Sequence, residues 1–246
     1  QWRHSHNYLH HTFTNVRGVD HDLGYRLLRV EEGQPWRWTT ALQPLYAGGL
    51  ALLFQWGVAA HDLDLRRYLL EPEARTDEAR AKLRGIGRKA RRQLLKDYVL
   101  FPLLAGPFAL HVLAGNAVAN LARNVWAFTV IFCGHFPDGA ETFAPEALDG
   151  ETRGGFYLRQ ILGSANFEGS RLLHVLSGHL SHQIEHHLFP DVPAHRYPEM
   201  AREVRAICAR YGVPYNTGTL GSQLATVGRK IFRLAGPPRR AHELAA

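Results

Sequence analysis

QIEHHLFP, residues 183–190, decides the reading, and HSHNYLHH, residues 4–11, is its counterpart near the other end of the chain. On a helix, side chains three or four positions apart lie over one another. His6, His10 and His11 are therefore expected on one face, and Gln183, His186 and His187 on another. Each cluster would present imidazoles close enough to share a metal ion, and two such helices meeting face to face would hold two. His182 repeats the first spacing as His182-x-x-x-His186-His187, so spacing alone leaves His182 and Gln183 both open.

Composition narrows the setting. The 246 residues carry a net charge of +7, with a pI near 9.7 and a mean hydropathy of −0.23, so anionic partners and a large water-facing part are expected. The charge is blockwise: residues 66–96 hold 11 Lys and Arg against four acids, and 98–122 hold no formal charge. That layout suits a membrane surface better than nucleic acid, and no nucleic-acid partner is expected. Cys133 and Cys208 are the only cysteines, which argues against a disulfide framework or a zinc–thiolate site. An imidazole-rich site fits iron, zinc or manganese, iron being the natural choice for oxygen chemistry.

Three apolar stretches, 41–60, 98–114 and 117–134, each approach the roughly 20 residues of a bilayer span. If the two clusters meet, an even number of crossings separates them. Gly48-Gly49 and Gln55 interrupt 41–60, which is read as interfacial. Residues 98–134 are then a membrane hairpin turning at Gly115-Asn116, after a basic amphipathic cytosolic helix capped by Thr76. Residues 170–188 read as one helix with Leu176, Leu180, Ile184 and Leu188 in an apolar row. The fold class expected is all-α: a membrane helical hairpin and a cytosolic helical cap that carries the histidines.

WRHSHNYLHHTFTN (2–15), VIFCGHFPDGAETF (130–143) and QIEHHLFP together resemble the membrane-bound fatty-acid desaturases, in particular the acyl-lipid and front-end branch whose third histidine box begins with Gln. The resemblance covers residue 2 to about 215. It implies a non-haem site of two iron ions using O2 to place a double bond in a fatty acyl chain. By motif, His6, His10 and His11 (second box), His186 and His187 (third box) and His135 are the implied ligands. Gln183 stands where other branches have His, as a ligand or a holder of bound water. His182, His179, Asp20 and Asp22 are candidates to orient the ligands from behind, and His4 and His174 flank the boxes. The first box is not found. His61-Asp62 lacks a following His at the needed spacing, so the box is expected upstream of Gln1.

The chain thus divides into a second box and loop (1–40), an interfacial segment (41–60), a basic cytosolic helix (61–97), the hairpin (98–134), a cap with the third box (135–235) and a disordered tail (236–246). The resemblance further implies an integral membrane protein with its site on the cytoplasmic face. Its acyl substrate is CoA-linked, carrier-bound or a glycerolipid, and its external electron donor is of ferredoxin or cytochrome type with a reductase. Trp126 and Phe128 are candidate tunnel walls. His21, His61, His195 and His242 are expected at the surface or in loops, and Glu185 is expected off the ligand face. A hydroxylase with the same boxes is the near alternative. A zinc hydrolase lacks its H-E-x-x-H motif here, and a metal or haem carrier needs only one or two of these histidines.

Overall fold

In this computed structural model, residues 5–61, 63 and 65–238 are described. The expectations for His4, Asp62, His242 and the tail from residue 239 onward fall outside them. The described residues are all-α apart from a short parallel pair, β1 (Asn166–Glu168) beside β2 (Thr217–Thr219).

The second box lies on α1 (Ser5–His10), which is π-helical, and runs one residue past it to His11. Hydrogen bonds in a π-helix run from i to i+5, so residues four and five positions on, His10 and His11, both sit over His6. A loop follows, then α2 (Gln43–Leu52) and α3 (Phe54–Ala60), a helix pair broken at Leu53, then α4 (Leu65–Leu70).

The hairpin differs from the expectation. Helix α5 (Asp77–Leu95), with the Thr76 hydroxyl accepting from the Ala79 amide, continues through a π-helical turn (Lys96–Leu100) into α6 (Phe101–Leu104). The basic helix and the first apolar stretch are therefore one arm rather than two elements. The chain reverses at residues 105–108, and the return arm is α7 (Ala109–His135). Gly106 adopts φ +54° there, a conformation that suits glycine, and Pro107 has no amide hydrogen to continue a helix. Gly115-Asn116 stays inside α7, because the Asn116 side chain donates across the hairpin to the Asp97 carbonyl (2.6 Å) instead of making a turn. Leu103, Leu104, Phe108 and Leu110 stand exposed around the reversal. Gly106–His135 is the one helix among the described residues long and apolar enough to cross a membrane.

Amides stitch the arms together. Asn116, Asn120 and Asn124 recur every fourth residue on α7, hence on one face. Gln93 donates to Asn120 (3.1 Å), and Asn120 donates to the Tyr98 hydroxyl (3.0 Å). Asn124, buried, donates to the Leu52 carbonyl (2.7 Å) and accepts from the Gln55 amide (3.3 Å). It thereby satisfies the backbone groups freed where α2 breaks from α3.

The remaining helices are α8 (Arg153–Leu162), α9 (Arg171–Leu176), α10 (Gln183–Leu188), α11 (Tyr197–Tyr211) and α12 (Leu220–Ala235). The single helix expected over 170–188 is interrupted. Gly178 and His179 both take φ +61°, and His182 precedes α10 in a non-helical conformation (φ −109°, ψ 60°). The main core gathers Leu23, Tyr25 and Leu28 from the loop, Leu50 and Phe54, Phe128 and Phe132 of α7 with Phe136 just beyond it, and Val227 and Ile231 of α12. Buried Arg29 donates to the Leu234 carbonyl (3.1 Å) and Trp36 to the Ala235 carbonyl (2.8 Å), so the loop after α1 is clamped to the end of α12.

Asn124→Leu strands the Leu52 carbonyl and the Gln55 amide. It is expected to lower stability by about 1–3 kcal/mol, read as a fall in unfolding midpoint in detergent.

Candidate metal centre

Six imidazoles from three distant parts of the sequence converge. His6, His11 and His186 place one ring nitrogen each within 4.8 Å of one another, and so do His10, His135 and His187. The two groups interlock: His11 stacks on His187 with ring centroids 4.5 Å apart, and His6 on His10 at 4.8 Å. α1 supplies His6 and His10, the residue after it is His11, the last residue of α7 is His135, and α10 supplies the last two.

Surrounding groups engage the Nδ1 of four of the rings. His6 Nδ1 donates to Asp22 Oδ2 and His10 Nδ1 to Asp20 Oδ2, both at 2.8 Å. His187 Nδ1 lies 3.0 Å from the Thr14 hydroxyl and 3.2 Å from Gln160 Oε1, and His186 Nδ1 lies 3.2 Å from the Tyr197 hydroxyl. The Nε2 atoms of His10 and His187 are buried with no hydrogen-bond partner among the described residues. Buried polar atoms are seldom left unpaired, and a histidine tied at Nδ1 with a bare Nε2 is the arrangement of a metal ligand. The donor set therefore fits two divalent cations, each facing three imidazoles.

Burial, followed by neighbouring His186, His10 and His6, pushes His11 down to about 2. Burial with His6 and His10 nearby takes His186 to about 4, and His187 also falls well below the ordinary value. Neutral imidazoles keep the lone pair that a cation needs. His10 moves the other way: burial would lower it, but the Asp20 and Asp22 carboxylates outweigh burial and raise it. Asp22 itself is held far below the usual carboxylate range; burial opposes this, and the hydrogen bonds with His6 and His61 overcome it.

His61 is the main correction at the site. Expected in a loop or at the surface, it is 5% exposed, with Nε2 2.8 Å from Asp22 Oδ1 and Nδ1 2.6 Å from the Val58 carbonyl. Asp22 thus bridges a ring of the site and a histidine at the end of α3. A lone His after an apolar run gave no sign of this, because Asp22 is 39 positions away. Thr14 and Gln160 were missed for the same reason: Gln160 Nε2 donates to the His11 carbonyl (3.1 Å), and its Oε1 accepts from Thr14 (2.7 Å). Asn15 turns the chain at φ +56° and donates to the Glu141 (2.9 Å) and Gly163 (2.8 Å) carbonyls, while its amide donates to Asp20 (2.9 Å).

Gln183 sits beside the site and engages His135: the two Nε2 atoms are 2.9 Å apart, which leaves His135 Nδ1 and Gln183 Oε1 buried and unpartnered among the described residues. Gly134 permits this approach, since a Cβ there would lie 2.9 Å from Gln183 Cγ. His182 and His179 are not brought to the six rings. His182 faces Ser181 (3.1 Å) and His174 (centroids 4.9 Å apart), turned away by the break before α10. Glu185 is buried off the ligand face, taking Asn166 (2.8 Å) and Tyr215 (2.9 Å) as donors. Phe128 is in the core, stacked on Phe132 at 3.9 Å, and Trp126 donates to the Leu176 carbonyl (3.0 Å).

Asp22→Asn and His61→Phe should each weaken metal binding, the first by about 10- to 100-fold, measured by competition with a chelator. His182→Ala should leave metal content unchanged and His187→Ala should lower it, as read by elemental analysis; the reverse order would favour the spacing rule over the observed break.

Comparison with known proteins points to one family. The family model described as fatty acid desaturase matches residues 1–219. A protein of Mycobacterium tuberculosis named NADPH-dependent stearoyl-CoA 9-desaturase is 44% identical over 242 residues, 97% of this chain and 56% of its own length. An sn-1 linoleoyl-lipid 6-desaturase of Synechocystis sp. is 28% identical over 87% of this chain and 60% of its own. An acyl-lipid (8-3)-desaturase of Physcomitrium patens is 29% identical over 87% and 45%. The chain thus spans about half the length of these curated relatives. No solved structure matches it significantly. On the family match and the histidine pattern together, the chain belongs to the fatty acid desaturase family.

Proposed function

We propose that this chain carries the metal-binding part of an O2-dependent desaturase that introduces a double bond into a fatty acyl chain. The observation that carries the reading is the pair of three-histidine groups, four of whose six members (His6, His10, His186 and His187) are tied from behind by Asp22, Asp20, Tyr197, Thr14 and Gln160. In this reading His6, His11 and His186 hold one iron and His10, His135 and His187 the other, with Gln183 holding His135 in place. Two irons so held would supply the O2-dependent oxidation of neighbouring methylenes, with electrons from an external donor. An all-imidazole shell adds no negative charge, which keeps such ions electrophilic. The protein's own task is to orient the rings and keep water out, and the burial of His10, His135 and His187 serves both.

The relative named for stearoyl-CoA supports an acyl-CoA substrate, and its NADPH dependence supports an external reductase as electron source. The apolar helix and the exposed leucines at the hairpin reversal support insertion in a membrane, with the histidines at the cytoplasmic end.

Expressed within its full-length protein in a desaturase-deficient host, the chain should yield acyl chains with a new double bond, located by mass spectrometry. His186→Ala should abolish that product while leaving the protein in the membrane fraction. An unchanged lipid profile with two irons bound per molecule would refute the substrate class, and bound zinc without oxygen uptake would refute the chemistry.

A further inference from the structure

Asp22 meets three imidazoles and, among the described residues, no lysine or arginine. Its Oδ2 accepts from His6 Nδ1 at 2.8 Å and lies 3.9 Å from His10 Nδ1, and its Oδ1 lies 2.8 Å from His61 Nε2. Asp20 is held otherwise: besides His10 it takes the backbone amides of Asn15 and Asp22, both at 2.9 Å. The Asp22 carboxylate has no such amides among the described residues. A carboxylate buried this deeply stays ionised only beside a cation or enough donors. His6 and His10 cannot be that cation while they hold a metal, because each then needs a bare Nε2. His61 belongs to neither three-histidine group and is under no such demand.

His61 follows the last residue of α3, with its backbone amide on the Gly57 carbonyl (2.9 Å) and its Nδ1 2.6 Å from the Val58 carbonyl. A carbonyl oxygen only accepts, so Nδ1 carries a hydrogen. Asp22 is held ionised by its histidines. A bare His61 Nε2 would set its lone pair against an ionised oxygen 2.8 Å away, so Nε2 carries a hydrogen too. Two features of the setting favour the resulting positive charge. The C-terminal end of a helix attracts cations. The two side chains are also nearly sealed from solvent, 1% exposed for His61 and 6% for Asp22, and exclusion of water strengthens the attraction between opposite charges.

We propose that His61 is a positioning residue: a doubly protonated imidazolium whose ion pair with Asp22 fixes that carboxylate against His6, so that His6 stays protonated at Nδ1 and bare at Nε2. It acts through Asp22 rather than on the metal. A neutral His61 beside a protonated Asp22 would fit the same distances, but His6 would then face an acid that donates instead of a carboxylate that accepts. The pair also joins the end of α3 to the loop after α1, so the seating of α3 reaches the His6 ring through one carboxylate. The inference rests on the imidazoles being metal ligands and is independent of the acyl substrate.

The test is nitrogen-15 solid-state NMR of the full-length protein, labelled at histidine, loaded with zinc as a diamagnetic probe and reconstituted in phosphatidylcholine vesicles near neutral pH. The signal that disappears in His61→Gln, or in His61→Phe, belongs to His61 and should show both ring nitrogens protonated. Asp22→Asn should convert it to a signal with one bare nitrogen. The second measurement is zinc affinity by competition with a chelator. His61→Gln can still donate to Asp22 but carries no charge, and should weaken binding by about tenfold. His61→Arg restores a cation and should recover most of the loss. A bare nitrogen on His61 in the zinc-loaded wild type would overturn the proposal, as would undiminished affinity in His61→Gln or a folded His61→Arg no better than His61→Gln. A wild type that binds no metal at all would instead refute the metal centre itself.

Discussion

Six imidazoles packed ring against ring in a buried space cannot all carry protons, and the rest of the structure answers to that constraint. Charging a ring there would oppose both desolvation and its neighbours, so His11, His186 and His187 are pushed below neutrality. A neutral ring still has one protonated and one bare nitrogen, and a metal site requires every bare one to face the same way. The acceptors behind the rings make that choice. Asp20 and Asp22 make it for His10 and His6, Tyr197 for His186, and Thr14 with Gln160 for His187.

These acceptors are themselves held by backbone in uncommon conformations. Asn15 in the left-handed region presents its amide to Asp20 and its side chain to two distant carbonyls. Tyr25 and Arg26 share that region, and the buried Tyr25 ring packs against Phe54, Phe132 and His61. Non-glycine residues remain in such conformations only when their surroundings over-determine them. Here the surroundings are the core of α2, α3, α7 and α12 and the Arg29 clamp, so the packing of the cap sets the tautomers of the site.

The hairpin joins this arrangement from the other side. Its return arm ends at His135, and its polar face carries the asparagines that tie α7 to α5 and to the break between α2 and α3. The break between α2 and α3 seats α7, because it leaves the Leu52 carbonyl and the Gln55 backbone amide to Asn124. An uninterrupted helix over 43–60 would leave Asn124 without its partners.

The local spacing of the histidines was enough to group His6 with His10 and His11, and separately His186 with His187, because helical periodicity puts each group on one face of its own helix; only the tertiary structure brings the two groups together. The all-α class, the charge-free hairpin segment and the amphipathic basic helix were legible for the same reason: they are periodic and contiguous. Where the hairpin reverses was not. Gly115-Asn116 and Gly106-Pro107 are both plausible turns in one dimension, and only the bond from Asn116 to Asp97 across the arms separates them. The rivalry between His182 and Gln183 likewise turned on a left-handed Gly178-His179 break that helical spacing assumes away. Tertiary structure alone brought His61 to Asp22 and Gln160 to His187, since a hydrogen bond between residues 39 or 27 positions apart leaves no periodic trace in either segment.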